Sequence, residues 1–357
     1  MADEHTETET VEPFQPLTTE RLTIRAPVMA DLDALVERRN DPDVAFYQDW
    51  PLPYLRDRAE ERLQAVVDRG GPADETGYMV TVTLRDDDTP IGDLYLGPSE
   101  KWRVAEIGYT FARPYWGKGY AVEAVDALLD HLFDERGLLR AHASFHPDNV
   151  ASAQVLERAG FLWEGQTKLS FFNDDRPEPE NSDDGFYGLT KADREAWKNR
   201  KTGPPDEVSL IDIDHKNQRD VGHLATHKSQ ERFVATVPQS FADALFPEPE
   251  DGHPVTPRMW AIQADGELAG FTMITEQTEH HDEPYLWRLL IDRRFQRRGI
   301  GGRAVDLVEE YCRAKGATTL LVSWEEGRGG PEPFYLARGY VPTGERPYDE
   351  VEARKQL

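Results

Sequence analysis

Two stretches of this chain carry glycines where they could hold an anion. One reads Trp116-Gly117-Lys118-Gly119-Tyr120-Ala121, the other Gln296-Arg297-Arg298-Gly299-Ile300-Gly301. Each follows a β-type apolar run and opens an amphipathic helix. In such a turn the first N–H groups of the helix have no intrahelical partner and point outward with the positive end of the helix dipole. Gly119 and Gly299 let the backbone come close to phosphate oxygens. Neither stretch fits the dinucleotide fingerprint, and neither is a Walker A loop, because no Lys-Ser/Thr follows the glycines.

Carboxylates stand nearby in sequence. Glu106, in the strand before the first turn, is the base candidate of the N-terminal half. Glu325 or Glu326, just after the apolar run Leu320–Trp324, is the candidate of the other half, acting directly or through water. Cys312, the only cysteine, shares an apolar stripe with Val305 and Val308 and reads as packing. His280-His281-Asp282-Glu283 lacks a second ligand group at helical spacing, so no metal is expected there or elsewhere.

The elements that position these residues repeat. Gly119 and Gly299 are 180 positions apart, and Gly160-Phe161 and Gly339-Tyr340 repeat at an offset of 179, so the chain reads as a duplicated domain. Residues 1–16 are expected to be a disordered tail, 17–190 the first domain, 191–207 a polar linker and 208–357 the second domain. The first half reads as a strand at 21–25, a helix at 30–39, a hairpin of 78–84 with 90–96, and a strand at 105–111. A helix at 120–136, a strand at 139–145, a helix at 149–159 and a last hairpin around an acidic loop at 173–185 complete it. The second half repeats the order: strand 208–213, helix 217–228, hairpin 259–264 with 268–275, strand 285–291, helix 301–315, strand 319–324 and a short helix 331–338. The expected fold class is α+β, each domain a mixed, mostly antiparallel sheet flanked by helices.

Bulk properties bound the function. The net charge of −26 argues against nucleic acid, which needs a basic footprint. It suits a cationic small-molecule partner, and equally solubility or salt adaptation. No apolar run reaches the ~18 residues of a membrane helix, and no signal peptide is evident, so no membrane partner and a cytoplasmic location are expected. One cysteine permits no intrachain disulfide.

Gln296-Arg297-Arg298-Gly299-Ile300-Gly301 resembles the Gln/Arg-x-x-Gly-x-Gly/Ala motif of the GNAT superfamily of acyl-CoA-dependent N-acetyltransferases. The N-terminal half resembles its ribosomal-protein N-terminal-alanine branch through Glu20–Arg25, Ala105–Tyr109, Tyr115–Ala121 and Asn149-x-x-Ser152. The C-terminal half resembles bacterial diamine and polyamine acetyltransferases through Trp287–Asp292, the Gln296 motif and Phe334-Tyr335 before Gly339. The resemblance implies that Gly117, Lys118, Gly119, Tyr120 and Ala121, and likewise Arg297, Arg298, Gly299, Ile300 and Gly301, hold the coenzyme A pyrophosphate. Phe111 and Ile291 would then flank the pantetheine arm, and Asn149 would bond it. Trp116 stands where the family has Gln or Arg, so the first turn is expected to lean more on backbone donors. The C-terminal copy has glycines and Arg328 in the neighbourhood corresponding to Asn149. Ser152 resembles the acid of the alanine branch and Tyr335 the general-acid tyrosine. Tyr47, Gln48, Trp50 and Tyr54 fall where the acceptor site is walled. The implied function is acetyl transfer from acetyl-CoA to a primary amine of a small molecule or peptide N-terminus, in a ternary complex. Association as a homodimer is compatible with it. The rival reading is a non-catalytic acyl-CoA-binding or scaffold role for one or both domains.

Overall fold

The computed structural model describes residues 11–173, 180–249 and 252–357. The chain forms two compact units that divide after Lys198.

Unit 1 contains β1 (Leu17–Thr18), β2 (Leu22–Arg25), α1 (Leu32–Asn40), α2 (Pro42–Ala45), α3 (Arg56–Arg69), β3 (Tyr78–Leu84), β4 (Pro90–Ser99) and β5 (Val104–Phe111). It continues with α4 (Tyr120–Asp130), β6 (Arg140–Phe145), α5 (Val150–Arg158), β7 (Leu162–Asn173), β8 (Glu180–Thr190) and α6 (Lys191–Lys198). Unit 2 contains β9 (Val208–Asp212), α7 (Gln218–Gly222), α8 (Val237–Leu245), β10 (Pro257–Ala264), β11 (Glu267–Thr275), β12 (Tyr285–Ile291), α9 (Ile300–Ala314), β13 (Thr319–Trp324), α10 (Glu332–Ala337), β14 (Val341–Pro342) and β15 (Val351–Gln356).

The first sheet runs β1-β2-β3-β4-β5-β6-β8-β7, the second β14-β15-β13-β12-β11-β10-β9. Among the paired strands every neighbour is antiparallel except β5–β6 and β12–β13. Those two pairs are parallel because a helix, α4 or α9, crosses between their strands. The helices sit where apolar spacing demands. Ala124, Val125, Leu128 and Leu129 of α4 are buried against Ala105 and Ile107 of β5, and α9 buries Val305, Val308 and Cys312 under β13. Alternation then turns Glu106 and Gly108 to the face of β5 away from α4.

Several sequence expectations need correction. Residues 1–10 of the expected tail lie outside the described residues, but Phe14 is buried against Tyr78 and its N–H reaches the Gly70 carbonyl at 3.2 Å. The first eight residues of the expected linker form α6. Thr190 and Asp193 cap each other there, and buried Arg194 reaches Asp126 and Asp130, both at 2.7 Å. The helix expected at 120–136 ends as a π-turn at His131–Glu135. Only Gln218–Gly222 of the helix expected at 217–228 forms. Strands β7 and β8 extend into the loop expected at 173–185, of which 174–179 lie outside the described residues.

Candidate active site

Each unit has a strand pair that parts. β5 and β6 pair only through Val104↔Arg140, Ala105↔Ala141 and Glu106↔His142. β12 and β13 pair only through Tyr285↔Leu321 and Leu286↔Val322. Beyond those points β5 stays paired with β4 as far as Phe111, and β12 with β11 as far as Ile291. One edge of each strand is thereby left open. The Ala112 N–H donates to the Ile91 carbonyl (2.9 Å), and the Asp292 N–H to Ala269 (2.9 Å). Alternate residues therefore face the paired neighbour, and the backbone groups of Ile107 and Tyr109, or of Leu289 and Ile291, face the gap. An extended amide-bearing chain can satisfy such an edge by strand addition.

The glycine turns close the far end of each gap. Gly119 (φ 82°) and Gly299 (φ 79°) are the left-handed N-caps of α4 and α9, with no side-chain cap. Gly117 (φ 72°) and Arg297 (φ 63°) share the other left-handed position, so the two turns match in backbone although their sequences differ. No capping side chain takes the first-turn N–H groups, which remain available to an anion.

The turns are also anchored alike. Trp116 Nε1 donates to the Phe111 carbonyl at 2.7 Å, and Gln296 Nε2 to the Ile291 carbonyl at 3.0 Å. The indole N–H supplies the bond that the amide supplies in the other copy, so the Trp116 donor is committed to the strand. Of the residues expected at the turns, Lys118 and Arg297 are exposed, Tyr120 and Ala121 half-buried, and Ile300 is core. Arg298 is buried, with Nε on the Gly203 carbonyl (2.8 Å) and the guanidinium 3.7 Å from Asp265. Its side chain is therefore committed elsewhere, and only its backbone is left for a ligand. Arg21, read in the sequence only as part of the Glu20–Arg25 motif and not as a turn residue, places its guanidinium 4.5 Å over the Tyr120 ring, bonds the Lys118 carbonyl (2.9 Å) and pairs with Glu123. A groove of about 900 Å³ runs along α4 past Leu17, Glu20, Val122, Glu123 and Asp126. The groove reaches Gly119 of the turn, and its carboxylates, which oppose phosphate, outnumber His131 and Arg158 in the lining.

Beside the first gap, Asn149 Oδ1 accepts from the Ser152 N–H (3.1 Å), capping α5 and leaving the amide NH₂ to donate outward. The Tyr109 hydroxyl donates to the Ser152 carbonyl (2.9 Å) and lies 2.8 Å from Ser152 Oγ. Burial pushes the Tyr109 hydroxyl's pKa well up, so it stays protonated. Sequence reasoning missed Tyr109 as a site residue; its alternation onto the same face as Ala105 and Ile107, beside the open edge, was the available signal. On the opposite face Ser144 Oγ donates to Glu106 Oε1 at 3.3 Å, and His142 is held below the ordinary imidazole pKa by burial, against the pull of Glu106.

The Tyr47 ring packs against His146 (5.1 Å) and its hydroxyl reaches the Asp148 carbonyl (3.2 Å), so it lies across the end of β6. Gln48 closes the turn after α2 through its N–H to Ala45 (3.0 Å). Trp50 and Tyr54 are core and hold Arg39 against their rings (4.6 and 5.1 Å). Of the residues expected to wall an acceptor, Trp50 and Tyr54 are therefore core packing.

Beside the second gap, Tyr335 is buried, stacks on Trp324 (5.7 Å) and has its pKa pushed well up by burial. Glu325 faces Arg232 at 3.5 Å, and Glu326 pairs with Arg346 at 2.7 Å. The Gly327–Gly330 loop supplies no counterpart of the Asn149 cap, since the N-cap of α10 is Pro331, which makes no side-chain cap bond. Glu283, from the His/Asp/Glu run, is bound to Arg354 at 2.7 Å.

Comparison with known proteins agrees with this geometry. Residues 21–162 match the acetyltransferase (GNAT) domain, and residues 223–340 the acetyltransferase (GNAT) family. An uncharacterized N-acetyltransferase of Bacillus licheniformis is 32% identical over 152 residues, 43% of this chain and 85% of the relative. One from Bacillus subtilis is 32% identical over 151 residues, 42% of this chain and 84% of the relative. The ribosomal-protein-serine acetyltransferase of Escherichia coli is 29% identical over 119 residues, 33% of this chain and 66% of the relative. The chain belongs to the GNAT family of N-acetyltransferases and carries two of its domains in tandem.

Proposed function

We propose that both units bind acetyl-CoA and transfer its acetyl group directly to a primary amine. The observation that carries this reading is the open strand edge running into a left-handed glycine turn, present in both units with the same side-chain anchor. The pantetheine amides would pair with the open edge, and the pyrophosphate would meet the first-turn N–H groups of α4 or α9. Phe111, Asn149 and Ile291 would line the arm.

The chemistry follows from the placement. The amine nitrogen attacks the thioester carbon, and its proton goes to a base. A backbone N–H on the open edge takes the oxyanion, and the thiolate leaves with a proton from an acid. In unit 1 Glu106 serves as base, and the Ser152–Tyr109 hydroxyl pair serves as acid. In unit 2 Tyr335 serves as acid, with Glu325 as the loop carboxylate nearest the end of β13. The acceptor is an amine cationic at neutral pH. A peptide N-terminus suits unit 1, in keeping with the relative named for ribosomal-protein serine acetylation; a diamine or polyamine suits unit 2.

The test is release of free thiol from acetyl-CoA with a panel of amines: N-terminal peptides, polyamines and amino sugars. Amine-dependent release supports the reading. Tight coenzyme binding with no release for any amine would replace it with a scaffold role.

A further inference from the structure

The two units differ at the position that the proposed function gives to the base, and the sheet registers fix the correspondence. Phe111 faces Gly92 as Ile291 faces Gly270, and Gly108 faces Tyr95 as Arg288 faces Met273. β12 then carries one extra residue, Trp287, opposite no residue of β11, so Leu286 meets Ile274 and Tyr285 meets Thr275. Such a bulge re-aims the side chains beside it. In the parallel pairs Glu106 is set against His142 and Tyr285 against Leu321. Tyr285 therefore stands at the position of Glu106, and Ser323, two residues beyond Leu321, at the position of Ser144. The side-chain contact repeats as well. Ser144 bonds Glu106 at 3.3 Å, and Ser323 Oγ lies 2.5 Å from the Tyr285 hydroxyl.

Unit 2 thus has a phenol where unit 1 has a carboxylate. The carboxylate is supplied from further along the chain, because Ser323 Oγ also donates to Glu350, which directly precedes β15. An ionised carboxylate only accepts, so the donors are ordered: Tyr285 to Ser323 to Glu350.

We infer that Tyr285, Ser323 and Glu350 form the proton-accepting chain of unit 2, with Tyr285 the group that meets the acceptor amine and Glu350 a positioning residue acting through it. The inference rests on the acetyl-transfer reading above. As the amine nitrogen bonds the acetyl carbon, its proton passes to the Tyr285 oxygen. The Tyr285 proton moves to Ser323, and the Ser323 proton moves to Glu350. The electron pair left on nitrogen forms the C–N bond, and the second ammonium proton of the adduct passes to water. The C–S bond breaks, and the thiolate takes the Tyr335 proton. Glu350 then loses its proton to water, and Tyr335 regains one from water. This route needs neither Glu325 nor Glu326, each of which faces an arginine. The charged groups acting on Tyr285 besides Glu350 are Arg288 on β12 and Glu352 on β15, and Tyr285 itself acts on Tyr335.

The test uses the full chain carrying Gly119→Glu, so that thiol release reports unit 2. The pH profile of kcat/KM is measured for Tyr285→Phe, Glu350→Gln and Glu350→Asp, with coenzyme affinity and melting recorded for each. The chain predicts losses of roughly 10²–10⁴-fold for Tyr285→Phe and Glu350→Gln at unchanged coenzyme affinity. It also predicts that Glu350→Gln flattens the acid limb and that Glu350→Asp restores it in part. A Glu350→Gln enzyme within threefold of its parent, with the acid limb intact, overturns the inference. So does absence of thiol release in the Gly119→Glu parent when the unsubstituted chain releases thiol. In either case acetyl transfer by unit 1 still stands.

Discussion

Trp116→Phe is the sharpest single probe of the turn. It keeps an aromatic ring and removes the N–H that reaches the Phe111 carbonyl at 2.7 Å. That carbonyl belongs to the open edge, where β6 offers no partner. Losing one such bond costs about 0.5–1.5 kcal/mol. If the anchored turn is the binding-competent one, coenzyme affinity at unit 1 falls by roughly two- to twelvefold, since about 1.4 kcal/mol is a factor of ten. Trp116→Gln should recover most of the loss, because Gln296 makes the corresponding bond at 3.0 Å. The assay is calorimetry with coenzyme A on a chain carrying Gly299→Glu, which leaves the unit 1 site to report. Equal affinity for the Phe variant and its parent, or a Gln variant as weak as the Phe variant, would refute the anchoring argument.

Other outcomes follow from the same geometry. Glu106→Gln in a Gly299→Glu chain and Tyr335→Phe in a Gly119→Glu chain should each lower turnover by roughly 10²–10⁴-fold with coenzyme affinity kept, measured by thiol release. Gly299→Ala places a methyl in open space but at φ 79°, so it should cost about 1–2 kcal/mol and lower the unit 2 melting temperature by several degrees, read by calorimetry. Cys312 is buried and its thiol pKa is pushed up to about 12 by burial, so a thiol reagent should label it only after unfolding. Burial tends to raise the Asp31 pKa, but hydrogen bonds from Arg25, Val28 and Thr81 win and hold it below 3.8. Its stabilisation is present above that value and lost as pH falls through the folded pKa. Asp31→Asn should therefore destabilise unit 1 at neutral pH, and the difference should vanish in strong acid, as read by urea melts across pH.

The parts of the fold visible in the sequence were those with strong local signals. The apolar stripes of α4 and α9 and the alternation of β5 and β12 place the strand–turn–helix units, and the glycines at φ 82° and 79° mark the turns. α3 was hidden because its fourteen residues bury only Ala59 and Leu63. α6 was hidden because a long-range network holds it, although its Thr190/Asp193 cap was readable. The site was legible only where it is local. Gly119 and Gly299 announce themselves, whereas the Trp116 anchor, the Tyr109–Ser152 contact and the Tyr285–Ser323–Glu350 chain depend on registers that bring distant residues together. The bulge at Trp287 shifts the register by one residue, so a constant sequence offset pairs Glu106 with Leu286, not with Tyr285.

The central claim is that each unit builds its own acyl-CoA seat from an open strand edge and a glycine turn. Calorimetric titration of the intact chain with coenzyme A tests it most directly, beside the Gly119→Glu and Gly299→Glu chains. The claim predicts two sites in the intact chain and one in each variant, because an added carboxylate at either turn blocks and repels phosphate. Two sites retained in either variant, or a single site abolished by one substitution alone, would contradict it.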